Sequence, residues 1–331
     1  MNFDTLARFD SSYNTLSPAE VEWLRRTVQS VQQFVKNSRT INKQPYATRN
    51  AHAQTFSVLK GYLFINKNVP AQVRSIFNQE HYNILVRYSH GNPLIRPINK
   101  VIPAYGMSIK IQSEREDWSF PLVNFPIFPI KSAKRVLQLF THFNNTVLRT
   151  GKASRSISLV RLLKDTVAVL PTALSWSMLK NTVRLLFKRN QSAIGFSYYS
   201  VGVYRMGPYM MKLKATPSKA FPLVQPGNHQ STIEQALNRG DVHFDLTIQL
   251  CADIEDQPVN DLSVEWKNAP EFMLGRIQFT RGSLKDSSLI PAHKTSFNPF
   301  ENPEELQPVG QIQYLRKDVY VASIATRRAE Q

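Results

Sequence analysis

Arg49-Asn50-Ala51-His52-Ala53 sets a basic residue three positions ahead of a histidine and runs into the apolar stretch at residues 56–65. That stretch is rich in aromatic and branched residues, the composition of a β-strand. Residues 84–88 share this character. Residues 106–112 alternate more cleanly, with Met107, Ile109 and Ile111 on one side and Ser108, Lys110 and Gln112 on the other. The clearest alternation lies at 243–252, where Phe244, Leu246, Ile248 and Leu250 oppose Asp245, Thr247, Gln249 and Cys251. Further strands are predicted at 196–205, 209–214 and 271–280. Successive strands of this kind predict an antiparallel sheet or barrel.

Around the strands the signals are helical. Ser17-Pro18-Ala19-Glu20 combines an N-cap serine, a proline at the first helical position and a glutamate three after the cap. Val21, Leu24, Val28, Val31 and Val35 then recur at helical spacing. The polar residues 37–46 read as a loop that delivers the chain to Arg49 and His52. Helices are predicted at 132–147 and 310–328, and a Pro- and Asn-rich loop at 291–308. Residues 152–189 mix basic and apolar residues around Pro171, which fits a packed helical hairpin or a basic amphipathic surface helix. There is no internal repeat and no low-complexity linker. The expectation is one α+β domain over 1–331, with a helical extension at 1–45 and a core at 46–328.

Three more stretches follow in order: Arg87-Tyr88-Ser89, then Tyr105-Gly106-Met107-Ser108-Ile109-Lys110, then Val123-Asn124-Phe125-Pro126-Ile127-Phe128. Near the end comes Arg316-Lys317-Asp318-Val319-Tyr320, with Arg327 beyond it. Arg316 precedes Tyr320 by four residues, one helical turn, so the two project from one face, and Arg327 falls on that face again. Tyr314 is a rival tyrosine with no arginine four before it. Together with the Arg49/His52 stretch, this ordered set resembles the haem-dependent catalase superfamily from about Tyr46 to Arg328. It is most similar to the short, catalase-like haem proteins of that superfamily.

The resemblance implies an antiparallel β-barrel of the catalase type with surrounding helices and a pocket for haem b. It assigns His52 as the distal histidine, a neutral imidazole able to move a proton between the two peroxide oxygens. Asn124 matches the distal asparagine that polarises peroxide, and Ser89 the serine that fixes the tautomer of the histidine. Tyr320 matches the iron ligand, and Arg316 beside it favours the anionic ligand. Arg49, Arg87 and Arg327 match positions that meet the haem propionates, for which bidentate guanidinium partners are suited. The implied activity is haem-dependent cleavage of hydrogen peroxide or of organic and fatty-acid hydroperoxides. The alternative is a haem-binding or sensing protein without turnover. The sequence departs from large catalases in two places. Gln54-Thr55-Phe56-Ser57-Val58 replaces a Gly-rich run, and Tyr105 stands where an arginine precedes the glycine. Full-length catalases also carry additional length that helps bury the haem, so easier access for larger peroxides is expected here.

Composition sets outer bounds. The chain has 331 residues, with 41 Lys and Arg against 24 Asp and Glu, a formal net charge of +17. That excess fits polyanions, an anionic membrane surface or carboxylate-bearing substrates as partners, or a solubilising cationic surface with no partner. Nucleic acid is the weakest of these, because no helix-turn-helix, zinc-finger or aromatic-platform motif accompanies the charge. Cys251 is the single cysteine, which excludes an intrachain disulfide framework. The first residues, Met1-Asn2-Phe3-Asp4, lack a signal-peptide pattern, so the expected location is the cytoplasm. A homo-oligomer is compatible with this sequence and is not specified by it.

Overall fold

The computed structural model describes residues 2–97, 101–149, 151–188, 191–221, 228–287 and 290–330. The first half runs α1 (Pro18–Asn42), β1 (Thr55–Ile65), α2 (Ala71–Arg74), β2 (His81–His90), β3 (Tyr105–Gln112), β4 (Asp117–Val123) and α3 (Ala133–Leu148). Next come α4 (Lys152–Ala173), α5 (Trp176–Phe187), β5 (Tyr198–Tyr199), β6 (Val203–Met206), β7 (Tyr209–Pro217) and α6 (His229–Arg239). The chain finishes with β8 (Val242–Leu250), β9 (Glu271–Phe279), α7 (Gly282–Ser287), β10 (Pro308–Val309), α8 (Gln311–Tyr314) and α9 (Arg316–Ala329).

Eight strands close into an antiparallel barrel in the order β1-β2-β3-β4-β5-β7-β8-β9, with β9 returning to β1. β6 and β10 extend the sheet beside β7. The alternation read at 243–252 is realised in β8, where every second residue from Val242 to Leu250 is buried. Inside, Phe244, Ile248, Ile277 and Phe279 are fully buried, filling a barrel of a size that side chains can close. Closure brings two backbones together at β1 and β9. A Cβ on Gly275 would lie 2.2 Å from the Phe64 carbonyl oxygen, so only glycine fits there.

Register explains how distant residues meet. Ser89 pairs with both Thr55 and Gly106, and Gly106 pairs with Val123. The start of β1, the end of β2, the start of β3 and the end of β4 therefore share one rim, and His52 and Asn124 sit just beyond it.

Helices cover that rim. α1 begins with the expected capping box on Ser17 and Glu20 and packs on α3 and α9. It runs on to Asn42, where the sequence reading placed a loop from residue 37. The polar residues of this last turn are buried ties. Ser38 Oγ accepts the Thr48 N–H at 2.8 Å, and Asn42 Nδ2 donates to Thr48 Oγ1 at 2.7 Å. They anchor the segment that leads to His52.

The strand predicted at 196–205 is broken into β5 and β6 because Val201 adopts φ 56°. The bend lays Gly202 against Gln313, where any Cβ would lie 2.2 Å from the Gln313 carboxamide carbon. Residues 152–189 form the two helices α4 and α5, apart from Arg189, which lies outside the described residues. The loop expected at 291–308 contains two short 3-10 turns and ends in β10, and the last predicted helix is the pair α8 and α9. Among the described residues no helix is long and apolar enough to cross a membrane.

Candidate functional site

A mostly apolar cavity of about 410 Å³ lies between the barrel rim and the helices, within the ~300–1,000 Å³ range of small-molecule and cofactor sites. One wall is the rim and the segment before β1, with Arg49, His52, Arg87, Tyr105 and Phe125. The facing helix α9 contributes Arg316, Val319, Tyr320, Ser323, Ile324 and Arg327, which recur at three and four residues and so form one helical face. Val136, Leu137 and Phe140 of α3 supply apolar wall.

His52 lies three residues before the start of β1 at Thr55. Its φ is 53°, a left-handed conformation rare for a residue with a side chain. The backbone around it is pinned: its N–H donates to the Gly91 carbonyl at 3.3 Å, Ala53 N–H to the Asn92 carbonyl at 3.1 Å, and Arg87 Nη2 to the His52 carbonyl. The ring sits 3.1 Å from Ser89 Oγ through Nδ1. Nε2 has no hydrogen-bond partner among the described residues. Burial, reinforced by the charges of Arg87, His90, Arg316 and Arg49, pushes the imidazole pKa down to about 3. The ring is therefore neutral at physiological pH.

Gly106 is what makes room for this ring. A Cβ there would lie 2.6 Å from both Nδ1 and Cε1 of His52 and 3.1 Å from Ser89 Oγ. Sequence reading quoted this glycine without giving it a role. Its position one residue into an alternating strand was the available signal, since glycine inside a strand marks close approach.

On the opposite wall Arg316 Nη2 donates to Tyr320 Oη at 2.8 Å. Arg316 Nη1 donates to Gln313 Oε1, and Gln313 is itself buried against Gly202. Burial works against the Arg316 charge, but the neighbouring Tyr320 and Tyr204 hydroxyls carry its pKa above the ordinary arginine value. Gln313 is a positioning residue that sequence reading missed, although its place three residues before Arg316 puts it on the same face.

Arg49, Arg87 and Arg327 line the same cavity, and among the described residues none of them is in an ion pair. Arg87 and Arg327 are 3% and 4% exposed. Arg49 Nη2 donates to the carbonyls of Ala292 and Thr295, Arg87 Nε to Thr55 Oγ1 at 2.9 Å, and Arg327 Nη1 to the His293 carbonyl at 2.7 Å. Arg327 Nε is buried with no partner. Burial depresses all three pKa values, with Arg87 and Arg327 adding to the effect on Arg49 and Arg327 to that on Arg87. Three like charges converging on an apolar chamber, one with an orphaned donor, suit an anionic guest.

Asn124 is placed differently from the residues just described. Its Oδ1 accepts the Tyr105 N–H at 2.8 Å and its Nδ2 donates to the Pro103 carbonyl at 2.8 Å, so it clasps the start of β3 and does not line the cavity. Ser89 reaches the cavity only through His52. Tyr105 lines it and hydrogen-bonds through Oη to His229 Nε2 at 3.0 Å.

The overall architecture has solved counterparts. A fungal catalase superposes with TM-score 0.64 at 17% identity, over 88% of this chain and 61% of that one. Catalase A from Saccharomyces cerevisiae gives 0.63 at 15% identity, over 88% and 63%. A bacterial catalase gives 0.62 at 12%, over 88% and 59%. The chain has the catalase fold. It spans about three fifths of the length of these solved catalases, and at such identities the likeness concerns the fold alone. No protein-family model and no curated protein matches the sequence. Within the catalase fold, the cavity opens where the barrel rim meets the C-terminal helix.

Proposed function

We propose that this protein binds haem b in the cavity and cleaves peroxide O–O bonds there. The observation that carries the reading is the Arg316–Tyr320 hydrogen bond on one wall of a chamber whose other wall presents neutral His52. Tyr320 would hold the iron, and Arg49, Arg87 and Arg327 would receive the propionates. The orphaned Arg327 Nε fits that assignment. When bound, haem supplies the redox chemistry of O–O cleavage.

The chain's own residues then handle the proton. With Nδ1–H directed at Ser89 Oγ, the His52 ring leaves Nε2 to accept a proton from one peroxide oxygen and return it to the other. The depressed pKa keeps that nitrogen available across the neutral range. Gly106 and the pinned backbone fix the ring, so little reorganisation accompanies transfer.

A second reading, a haem-binding or sensing protein without turnover, is favoured by one detail. The Asn124 amide, which would polarise peroxide, is engaged by Pro103 and Tyr105 in this structure.

Two variants test the proposal. Tyr320→Phe abolishes stoichiometric haem or grossly changes its absorption spectrum, and an unchanged spectrum overturns the ligand assignment. His52→Ala retains haem and loses peroxide cleavage by about 10²–10⁴-fold. A haem-replete wild type with no turnover establishes the second reading.

A further inference from the structure

The helical hairpin α4–α5 is built inside out. α4 faces α3 with Ser158, Leu162, Asp165 and Val169, where Asp165 Oδ2 lies 2.5 Å from His142 Nδ1 and Arg135 Nη1 donates to the Ala168 carbonyl. The opposite side of α4 carries Val160, Leu163, Val167 and Leu170, and its C-cap is Leu174, all exposed. Their spacing of three, four, three and four is a continuous apolar seam. α5 repeats the pattern with Trp176, Leu179, Val183 and Leu186 exposed, while Leu185 is buried in the barrel cluster. Trp176 and Phe187, at its two ends, are 79% and 88% exposed. Monomeric soluble proteins rarely expose apolar surface on this scale without a binding role.

The charges decide what covers it. Arg155, Arg161, Lys164, Lys180 and Arg184 are exposed on the same two helices, and none of the five is in an ion pair among the described residues. Asp165 is the only acid between Lys152 and Lys188, and it is turned inward to His142. A second copy seated by two-fold symmetry would set these cations against themselves. An anionic lipid surface satisfies both halves of the pattern, taking the apolar seam and the aromatic ends into the interface and the cations at its headgroups. We infer that α4–α5 is a membrane-docking hairpin that lies in the interface of anionic bilayers without crossing them. The inference is independent of the chemistry in the cavity.

The test is sedimentation of the full-length protein with phosphatidylcholine vesicles made with and without phosphatidylglycerol. The expected result is binding to the anionic vesicles only, weakening as salt rises. Trp176→Ser/Phe187→Ser weakens that binding at least ~10-fold with an unchanged melting temperature, because both side chains are exposed. In Lys180→Glu/Arg184→Glu the loss of each positive charge alone weakens it about fivefold. Failure of the wild type to bind anionic vesicles, or undiminished binding by Trp176→Ser/Phe187→Ser, overturns the inference. So does a concentration-dependent dimer in analytical ultracentrifugation that the same variants dissociate, which would make the face a homotypic contact.

Discussion

Gly106→Ala is the most informative single change at the site, because it adds one methyl group and touches no proposed catalytic atom by deletion. The new Cβ would stand 2.6 Å from Nδ1 and Cε1 of His52, about 1 Å inside ordinary carbon contact. The His52 backbone cannot yield easily, since Gly91, Asn92 and Arg87 hold the residue and its neighbour by hydrogen bonds. The ring must swing instead, and the contact to Ser89 Oγ is lost. Overpacking contributes about 1–3 kcal/mol of destabilisation, and the lost hydrogen bond about 0.5–1.5 kcal/mol. A displacement near 1 Å at a catalytic group lowers the rate on the order of 10²-fold. The assay is urea denaturation together with kcat/KM for hydrogen peroxide on protein matched for haem absorbance. Gly91→Ala is the control for crowding of the ring, because its Cβ would stay 3.7 Å from His52 Cε1 and meet instead the Ala104 carbonyl oxygen at 3.3 Å. The stability loss should largely vanish when Gly106→Ala is made in the His52→Ala background, since the two residues are in direct contact. An equal loss in both backgrounds, or full activity and stability in Gly106→Ala, refutes the reasoning.

Three further outcomes are expected. Folded His52 and His229 have pKa values pushed down to about 3 and about 4, whereas the unfolded chain takes up those protons near 6.5. Stability is therefore fully present above about pH 6.5 and falls as pH drops towards 4, by up to roughly 1.4 kcal/mol per pH unit for each histidine. Urea midpoints that do not move between about pH 7, above that window, and about pH 5, inside it, would contradict it. Fatty-acid hydroperoxides should rival hydrogen peroxide in kcat/KM and lose ground as salt rises, given the net charge of +17 and the apolar wall from α3. A strong, salt-insensitive preference for hydrogen peroxide refutes this. Gly275→Ala, whose Cβ would meet the Phe64 carbonyl oxygen and carbon at 2.2 and 3.0 Å, should destabilise the barrel by about 3 kcal/mol or more, measured by denaturant unfolding.

What the sequence disclosed followed from how local each signal is. The alternation in β8 and the Ser17 capping box involve neighbours in the chain, so both were legible. Arg316 and Tyr320 share one turn of helix, so their common face was legible from the spacing, and the structure adds the hydrogen bond between them. The extension of α1 to Asn42 was hidden, because Ser38 and Asn42 look like loop residues until Thr48 and Pro93 are there to receive them. The bend at Val201 lays Gly202 against Gln313, more than a hundred residues away, a contact no local pattern announces. Asn124 shows the limit most clearly. Its flanking Phe125, Pro126 and Phe128 were read from the chain, yet where its amide is directed depends on Pro103 and Tyr105 across the rim.

The cavity is walled by His52 from the first fifth of the chain and by Tyr320 from its end, separated by 320 − 52 = 268 positions. Contacts at such separation carry a loop-closure cost that the packing between the two segments must offset. The eight barrel strands all lie between these two residues in sequence, so the chamber is closed by segments that flank the barrel in the chain. Cutting the chain between α8 and α9 would therefore remove Arg316, Tyr320 and Arg327 together while leaving every barrel strand in the sequence.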